Sequence, residues 1–198
     1  MIDIDLQLFK NVITEGRHNP DLLDSYSSNQ FKSKEVLINH IKKLNILNNE
    51  SNISILGSWY GSILIPAFKN VKSITLIDLD DKVIRIAKQR LFNHYTNTDF
   101  ITADVFNLGK HSYRIEKSNL IINTSCEHMR PMKELKTLKN SKSYFAFQSN
   151  NMSYIKDHVN CVNSIEEFKK QMPENSKILI EDHIKDDRGT RFLLIGQL

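Results

Sequence analysis

The chain has 198 residues, enough to bury roughly 70% of the surface its unfolded form exposes and so to enclose one sizeable core. Hydrophobic residues at 40% and charged residues at 25% exclude a disordered chain, and 6 Gly with 4 Pro exclude collagen-like or low-complexity sequence. Twenty-seven Lys+Arg against 23 Asp+Glu leave a net charge of +4, with no run of like charges of the kind that marks a nucleic-acid tail. The two cysteines, Cys126 and Cys161, show neither a disulfide framework nor zinc-site spacing, so free thiols in a reducing compartment are expected and no metal ligand is assigned. The first twenty residues lack a basic segment followed by an apolar one, and no stretch nears the ~18 consecutive apolar residues of a membrane span. A cytoplasmic protein with no membrane partner is the expectation.

In chain order, Val36, Leu37, Ile41, Leu44 and Leu47 recur at helical steps, predicting an amphipathic helix from a Ser33 cap to Leu47. Four short apolar runs then read as buried strands: Ile53 to Leu56, Ile74 to Ile77, Phe100 to Ala103, and Leu120 to Ile122. An apolar helical segment, Ile63 to Phe68, lies between the first two. Between the second and third, Ile84, Ala87, Leu91 and Tyr95 share a helical face behind Asp80 as cap. Strands separated by helices imply right-handed βαβ units, hence a doubly wound, mostly parallel α/β sheet. Further on, Tyr144 to Gln148 reads as a strand, and Ser164 with Glu167 forms a capping-box pattern. KILIEDHI and RFLLIGQL flank a polar, Gly-containing connector, Lys185 to Thr190, which predicts a C-terminal antiparallel hairpin. The expected organisation is one domain over residues 1–198, with 1–50 as a helical cap and 51–198 as core.

Ligands of an open parallel sheet sit beyond the carboxyl ends of its strands, so the four strand exits are where function is sought. The first is Gly57-Ser58-Trp59-Tyr60-Gly61, whose glycines suit a tight turn and close approach to a ligand; it reads equally as a plain strand-to-helix turn. The second ends in Asp78, about 20 residues after the glycines, where a carboxylate can accept from the ribose hydroxyls of an adenine nucleotide. Asp80 and Asp81 are assigned to the cap and first turn of the next helix. The third, Asp104-Val105-Phe106, either holds a purine or starts a loop turn. The fourth, Asn123-Thr124-Ser125-Cys126-Glu127-His128, is an abrupt polar and reactive cluster, with Glu127 and His128 either acid–base groups or a helix start and its solvated neighbour.

In this order the four exits resemble the class I S-adenosylmethionine-dependent methyltransferases, a Rossmann-like family, over about residues 52–198. The resemblance implies S-adenosyl-L-methionine as cofactor. It places the methionine part on Gly57, Ser58, Trp59, Tyr60 and Gly61, the ribose on Asp78, the adenine on Asp104 and Val105, and the methyl-transfer site at Asn123, Thr124, Ser125, Glu127 and His128. Departures are Ile55 where an acid is usual, Trp59 in place of the middle glycine, and Leu138-Lys139-Asn140-Ser141 in place of a Lys-Pro-Gly-Gly turn. LGSWYGS, NTSCEH and HVNCVNSIEEF are also similar to methyltransferase-like proteins of marine bacteriophages.

Transfer from a sulfonium is an in-line displacement, so positioning dominates and a base is needed only where the acceptor carries a proton. His128 or Glu127 is the candidate base; Cys126 as nucleophile would need an activated thiolate. The fourth exit lacks the Asn/Asp-Pro-Pro-aromatic stretch that accompanies DNA amino-methylation, so a small-molecule acceptor is expected over nucleic acid. Residues 26–34, with Tyr26 and Gln30, either fold over the cofactor as a lid or connect elements. Two further readings stand: aminocarboxypropyl transfer or cleavage of the same cofactor, and a non-catalytic interaction module that keeps the fold. A dinucleotide oxidoreductase is weaker, since GSWYGS lacks the third glycine of GxGxxG.

Overall fold

The computed structural model describes residues 5–138 and 142–198, so positions 139–141 of the replaced Lys-Pro-Gly-Gly turn lie outside the described residues. Three helices come first: α1 (Leu6–Gly16), α2 (Pro20–Asp24) and α3 (Ser28–Leu44). Strands and helices then alternate through β1 (Asn52–Leu56), α4 (Leu64–Ala67), β2 (Ser73–Asp78), α5 (Asp81–Ile86), β3 (Thr98–Thr102), α6 (Ser112–Glu116), β4 (Leu120–Asn123), β5 (Tyr144–Asn150) and α7 (Ile165–Lys169). The chain closes with β6 (Lys177–Asp186) and β7 (Gly189–Gln197). The seven strands form one sheet in the order β3-β2-β1-β4-β5-β7-β6, the first five parallel and β7 antiparallel to both β5 and β6. This is the Rossmann-like methyltransferase arrangement, C-terminal hairpin included.

Strand order reverses between β1 and β4, whose last residues Leu56 and Asn123 are register partners. Successive side chains point to opposite faces, and each face has its own core. Leu120 and Ile122 of β4 join Ile53, Ile55, Ile74, Leu76 and the helical residues Leu8, Leu37 and Ile41 on one side. Ile121 joins Leu56, Ile77, Phe145 and Phe147 on the other. Each such side chain contributes about 1.5–3 kcal/mol on burial.

The parallel strands fall where the apolar runs place them, with one correction. The third run is the sheet edge, not an interior strand: Asp99 and Thr102 are exposed and Phe100 and Ile101 only half-buried. The other edge, β6, alternates exposed Lys177, Glu181, His183 and Lys185 with half-buried residues, which discourages further strand pairing. Among the described residues no helix is long and apolar enough to cross a membrane.

Asp80 caps α5, accepting from Lys82 and Val83 N–H, and Asp81 occupies the first turn as expected. The helix then widens into a π turn, Ala87–Leu91, and ends before Tyr95. Ser164 caps α7 by accepting from Glu167 N–H, while the Glu167 carboxylate turns back to Asn163 N–H, one residue short of the reciprocal contact. The first helix of the sequence reading is corrected at both ends. It begins behind Ser27 and stops at Asn45, which turns left-handed at φ 50°. Ser33 is therefore mid-helix. Its hydroxyl donates to Gln148 Oε1 at 2.9 Å while Gln148 Nε2 donates to Ser33 O at 3.0 Å, pinning α3 to β5.

Asp5 caps α1 through Leu8 N–H at 2.8 Å and also accepts from Tyr95 Oη at 2.8 Å, with His94 Nε2 at 3.1 Å. Burial pushes its carboxyl up, but the bonds from Leu8, His94 and Tyr95 outweigh this and hold it at about 2. A carboxyl whose folded pKa lies below its unfolded value adds stability above the unfolded pKa and loses it as pH falls through the folded one. Asp5→Ala should therefore cost about 1–2 kcal/mol in denaturant unfolding at pH 7, and the difference from wild type should shrink steadily between pH 4 and pH 2. An undiminished difference at pH 2 would remove the carboxylate from the account.

Candidate functional site

A cleft of about 690 Å³ opens at the carboxyl ends of β1, β2 and β4, at the point where strand order reverses. Its floor on the β1 side is the loop Gly57 to Gly61. Gly57, Trp59 and Gly61 all have positive φ, at 55°, 47° and 67°. Trp59 thus holds a backbone state that glycine adopts freely and a bulky residue rarely does. Asp78 Oδ2 accepts from Trp59 N–H at 2.7 Å and Ile77 O from Ser58 N–H at 3.2 Å, which hold this path. A Cβ on Gly57 would meet Met129 Cε at 2.6 Å, while one on Gly61 would lie 2.5 Å from Leu76 and 2.9 Å from Ile65. The first glycine lets Met129 pack on the loop beside the cleft, and the last lets the loop pack on the core. The helix beyond, α4, is a single turn.

Asp78 is half-buried at the cleft edge, and its other oxygen, Oδ1, accepts from Asp80 N–H at 3.0 Å. A carboxylate offers about four lone-pair positions, so two remain for a ligand. Asp104 lines the cleft and also starts a turn, accepting from Phe106 N–H at 2.9 Å; its two sequence readings coexist. Val105 beside it is buried, and the Arg130 guanidinium covers the Phe106 ring at 4.2 Å.

The β4 exit divides. Thr124, Ser125, Glu127 and His128 line the cleft, but Asn123 does not. It is fully buried, and its amide accepts from Ser125 N–H and donates to the Met129 and Met132 sulfurs, shaping the turn from within. Cys126 to His128 form one 3₁₀ turn, and among the described residues before β5 only further 3₁₀ turns follow. Burial, with the nearby Glu127 charge, pushes the Cys126 thiol well above its ordinary value, so it is a core thiol and not a nucleophile. Glu127 is 2% exposed; Oε1 accepts from Asn150 Nδ2 at 2.6 Å and pairs with Arg191 at 3.1 Å, whereas Oε2 has no hydrogen-bond partner among the described residues. His128 is exposed, and its Nδ1 lies 3.1 Å from Asp157 O.

The structure also brings in residues the sequence reading did not assign. Arg191 of β7, His158 of the 151–164 loop and Lys34 of α3 converge on Glu127 from distant parts of the chain. His158 stands edge-on to His128 with ring centroids 4.6 Å apart, and burial pulls its imidazole below the ordinary value. In the 26–34 segment Tyr26 and Ser27 form the turn into α3 and the rest is its first turns, not a free lid: Tyr26 Oη donates to Ser62 O at 3.3 Å, and Gln30 and Lys34 face the cleft.

The Lys34 ammonium donates to Gln30 Oε1; burial and then the Arg191 charge bring it down to about 7. A lysine so shifted holds fewer protons folded than unfolded between pH 7 and 10.5, so its destabilising effect is full below pH 7 and fades as pH rises toward 10.5. Lys34→Met should stabilise the fold by about 1 kcal/mol at pH 6, solvent screening allowed for, and by progressively less above pH 7. Melting curves across that range would show it; a gain that grew with pH would reverse the assignment.

No family model matches the chain, and neither does any curated protein. Solved structures do. Magnesium protoporphyrin IX methyltransferase of Synechocystis PCC 6803, with bound SAH, superposes at TM-score 0.67 and 13% identity over 97% of this chain and 93% of its own. N-methyltransferase NodS of Bradyrhizobium japonicum WM9, in complex with S-adenosyl-L-homocysteine, gives 0.64 and 14% over 85% and 86%. Aeropyrum pernix fibrillarin, with natively bound S-adenosyl-L-methionine, gives 0.54 and 12% over 76% and 67%. At such identities the likeness establishes the fold.

Proposed function

We propose that the chain is an S-adenosyl-L-methionine-dependent methyltransferase acting on a small-molecule acceptor. The observation that carries this reading is the Gly57-to-Gly61 loop, which holds three left-handed positions at alternate residues and is bonded to Asp78 at the switch point of the sheet. The structurally similar methyltransferases that carry this cofactor or its product support it.

The residues present fit the cofactor. Gly57's missing Cβ lets the Met129 and Ser125 side chains lie directly against the loop backbone, beside which the methionine arm would lie. Asp78 has two acceptor positions for the ribose hydroxyls, and Asp104 with Val105 and Phe106 offers a carboxylate beside apolar walls for the adenine. When bound, the cofactor's sulfonium supplies the methyl group. The chain's own work is to hold the acceptor in line with that methyl and to accept its proton where it has one. Asp157 O is only an acceptor, so His128 Nδ1 carries the proton and Nε2 keeps its lone pair, as a base requires. Glu127 holds Arg191 and suits positioning. The mixed carboxylate, imidazole and guanidinium lining supports a small polar acceptor. The free thiols Cys126 and Cys161 support a cytoplasmic setting, and LGSWYGS, NTSCEH and HVNCVNSIEEF support kinship with phage-type methyltransferases.

Calorimetric titration with S-adenosylmethionine and S-adenosylhomocysteine tests the reading. Micromolar binding of both by folded protein is expected, and no heat from either would overturn it.

A further inference from the structure

We propose that Glu127, His128 and His158 form a site for one divalent transition-metal ion in the cleft. The ligand atoms of the three side chains all lie within 4.8 Å of one another. Ligands at 2.0–2.1 Å around a tetrahedral ion stand about 3.3 Å apart, so small side-chain rotations close the set. Two imidazoles and one carboxylate are the donor set of open zinc sites and of other catalytic first-row ions, with three protein ligands and the remaining positions free.

Three features of the surroundings point the same way. Glu127 Oε2 is buried without a hydrogen-bond partner among the described residues, an arrangement that costs free energy unless something binds there. Its sister oxygen Oε1 is fixed by Asn150 and Arg191, as a one-oxygen metal ligand is fixed by its outer contacts. The His128 Nδ1–H donates to Asp157 O, which orients the ring and leaves Nε2 as the ligand atom, the partner type seen behind metal-bound histidines; with an ion bound, His128 is a ligand and no longer a base. The two chain segments are tied together as well, since Glu127 O accepts from both Val159 and Asn160 N–H at 2.9 Å. The adjacent Arg191 charge argues for moderate affinity, and the ion's free positions would face the cleft, ready for an oxygen or nitrogen of the acceptor.

The ion-binding claim stands on these side chains alone; its place beside a methyl acceptor rests on the methyltransferase reading. Chelator-stripped full-length protein would be titrated with CoCl₂, followed by visible d–d absorption and calorimetry, and with S-adenosylhomocysteine separately. The expected result is one Co²⁺ per chain in the micromolar range, displaced by Zn²⁺, and weakened at least about 10-fold in both His128→Ala and His158→Ala. Circular dichroism of each variant shows that it is folded. Absence of stoichiometric Co²⁺ binding by wild type overturns the site, as does equal binding by both variants, which marks adventitious association. Co²⁺ binding without S-adenosylhomocysteine binding keeps the site and removes the methyltransferase reading; the opposite pattern does the reverse.

Discussion

S-adenosylhomocysteine should bind the Asp78→Ala protein roughly 30-fold or more weakly than wild type. The proposed bonds from ribose hydroxyls to this carboxylate are charge-assisted, each worth about 1.5–3 kcal/mol, and tenfold in affinity is about 1.4 kcal/mol. A second contribution comes from the loop. Asp78 Oδ2 anchors the Trp59 N–H at 2.7 Å, and Trp59 sits at φ 47°, which a residue with a side chain holds only when its surroundings fix it. Removing the carboxylate frees that amide and lets the loop relax out of its left-handed path.

Asp78→Asn separates the two contributions. Its amide oxygen can still accept from one backbone N–H, so the loop keeps a support while the charge is gone. Affinity between those of wild type and Asp78→Ala is expected. If Asp78→Ala binds as tightly as wild type, the ribose assignment fails, whatever the loop does.

Particular residues show what was legible. Ile53 to Leu56 and Leu120 to Ile122 announced themselves because a strand covered on both faces must be apolar throughout, and these are fully interior. Phe100 and Ile101 carry the same apolar signal but sit at the sheet edge, because which strand ends a sheet is decided by strand order and not by composition. The start of α3 was hidden for another reason. Its first turns, Ser28 to Lys32, carry a single apolar residue, Phe31, and that one is exposed, so periodicity becomes visible only at Val36. Ser33, which resembles a cap in isolation, is held mid-helix by Gln148, 115 positions away.

The site divides along similar lines. Gly57, Asp78, Asp104 and Glu127 could be read because each ends a recognisable strand or follows it closely. Asn123, expected at the cleft, is the last residue of β4 and points inward, and Thr124 and Ser125 take the cleft wall. His158, Lys34 and Arg191 come from a loop, a helix and the returning hairpin, and only tertiary folding makes them neighbours of Glu127. His158 falls within HVNCVN, where no spacing marks it as a ligand.

The Glu127–Arg191 pair carries the largest expected effect on stability. Its side chains are 2% and 13% exposed, so removal of one partner strands a charge in a poorly solvated place. Arg191→Met should destabilise the protein by about 3–5 kcal/mol, or roughly 8–15 °C in melting midpoint for a chain of this size. Glu127→Gln should cost less, because the amide oxygen can still accept from Asn150 and Arg191 keeps its contact to Thr124 O. Combining Glu127→Met with Arg191→Met removes both charges and should recover most of the loss, a large coupling in the double-mutant cycle. Additive losses instead would mean that the two side chains act through packing and not as a charge pair. Near-recovery of stability has a further consequence: an ion pair that can be replaced by apolar groups without loss is not there to hold the fold together. The hold of Arg191 on Glu127 Oε1, which leaves Oε2 unpartnered, would then assign Arg191 to orienting that carboxylate.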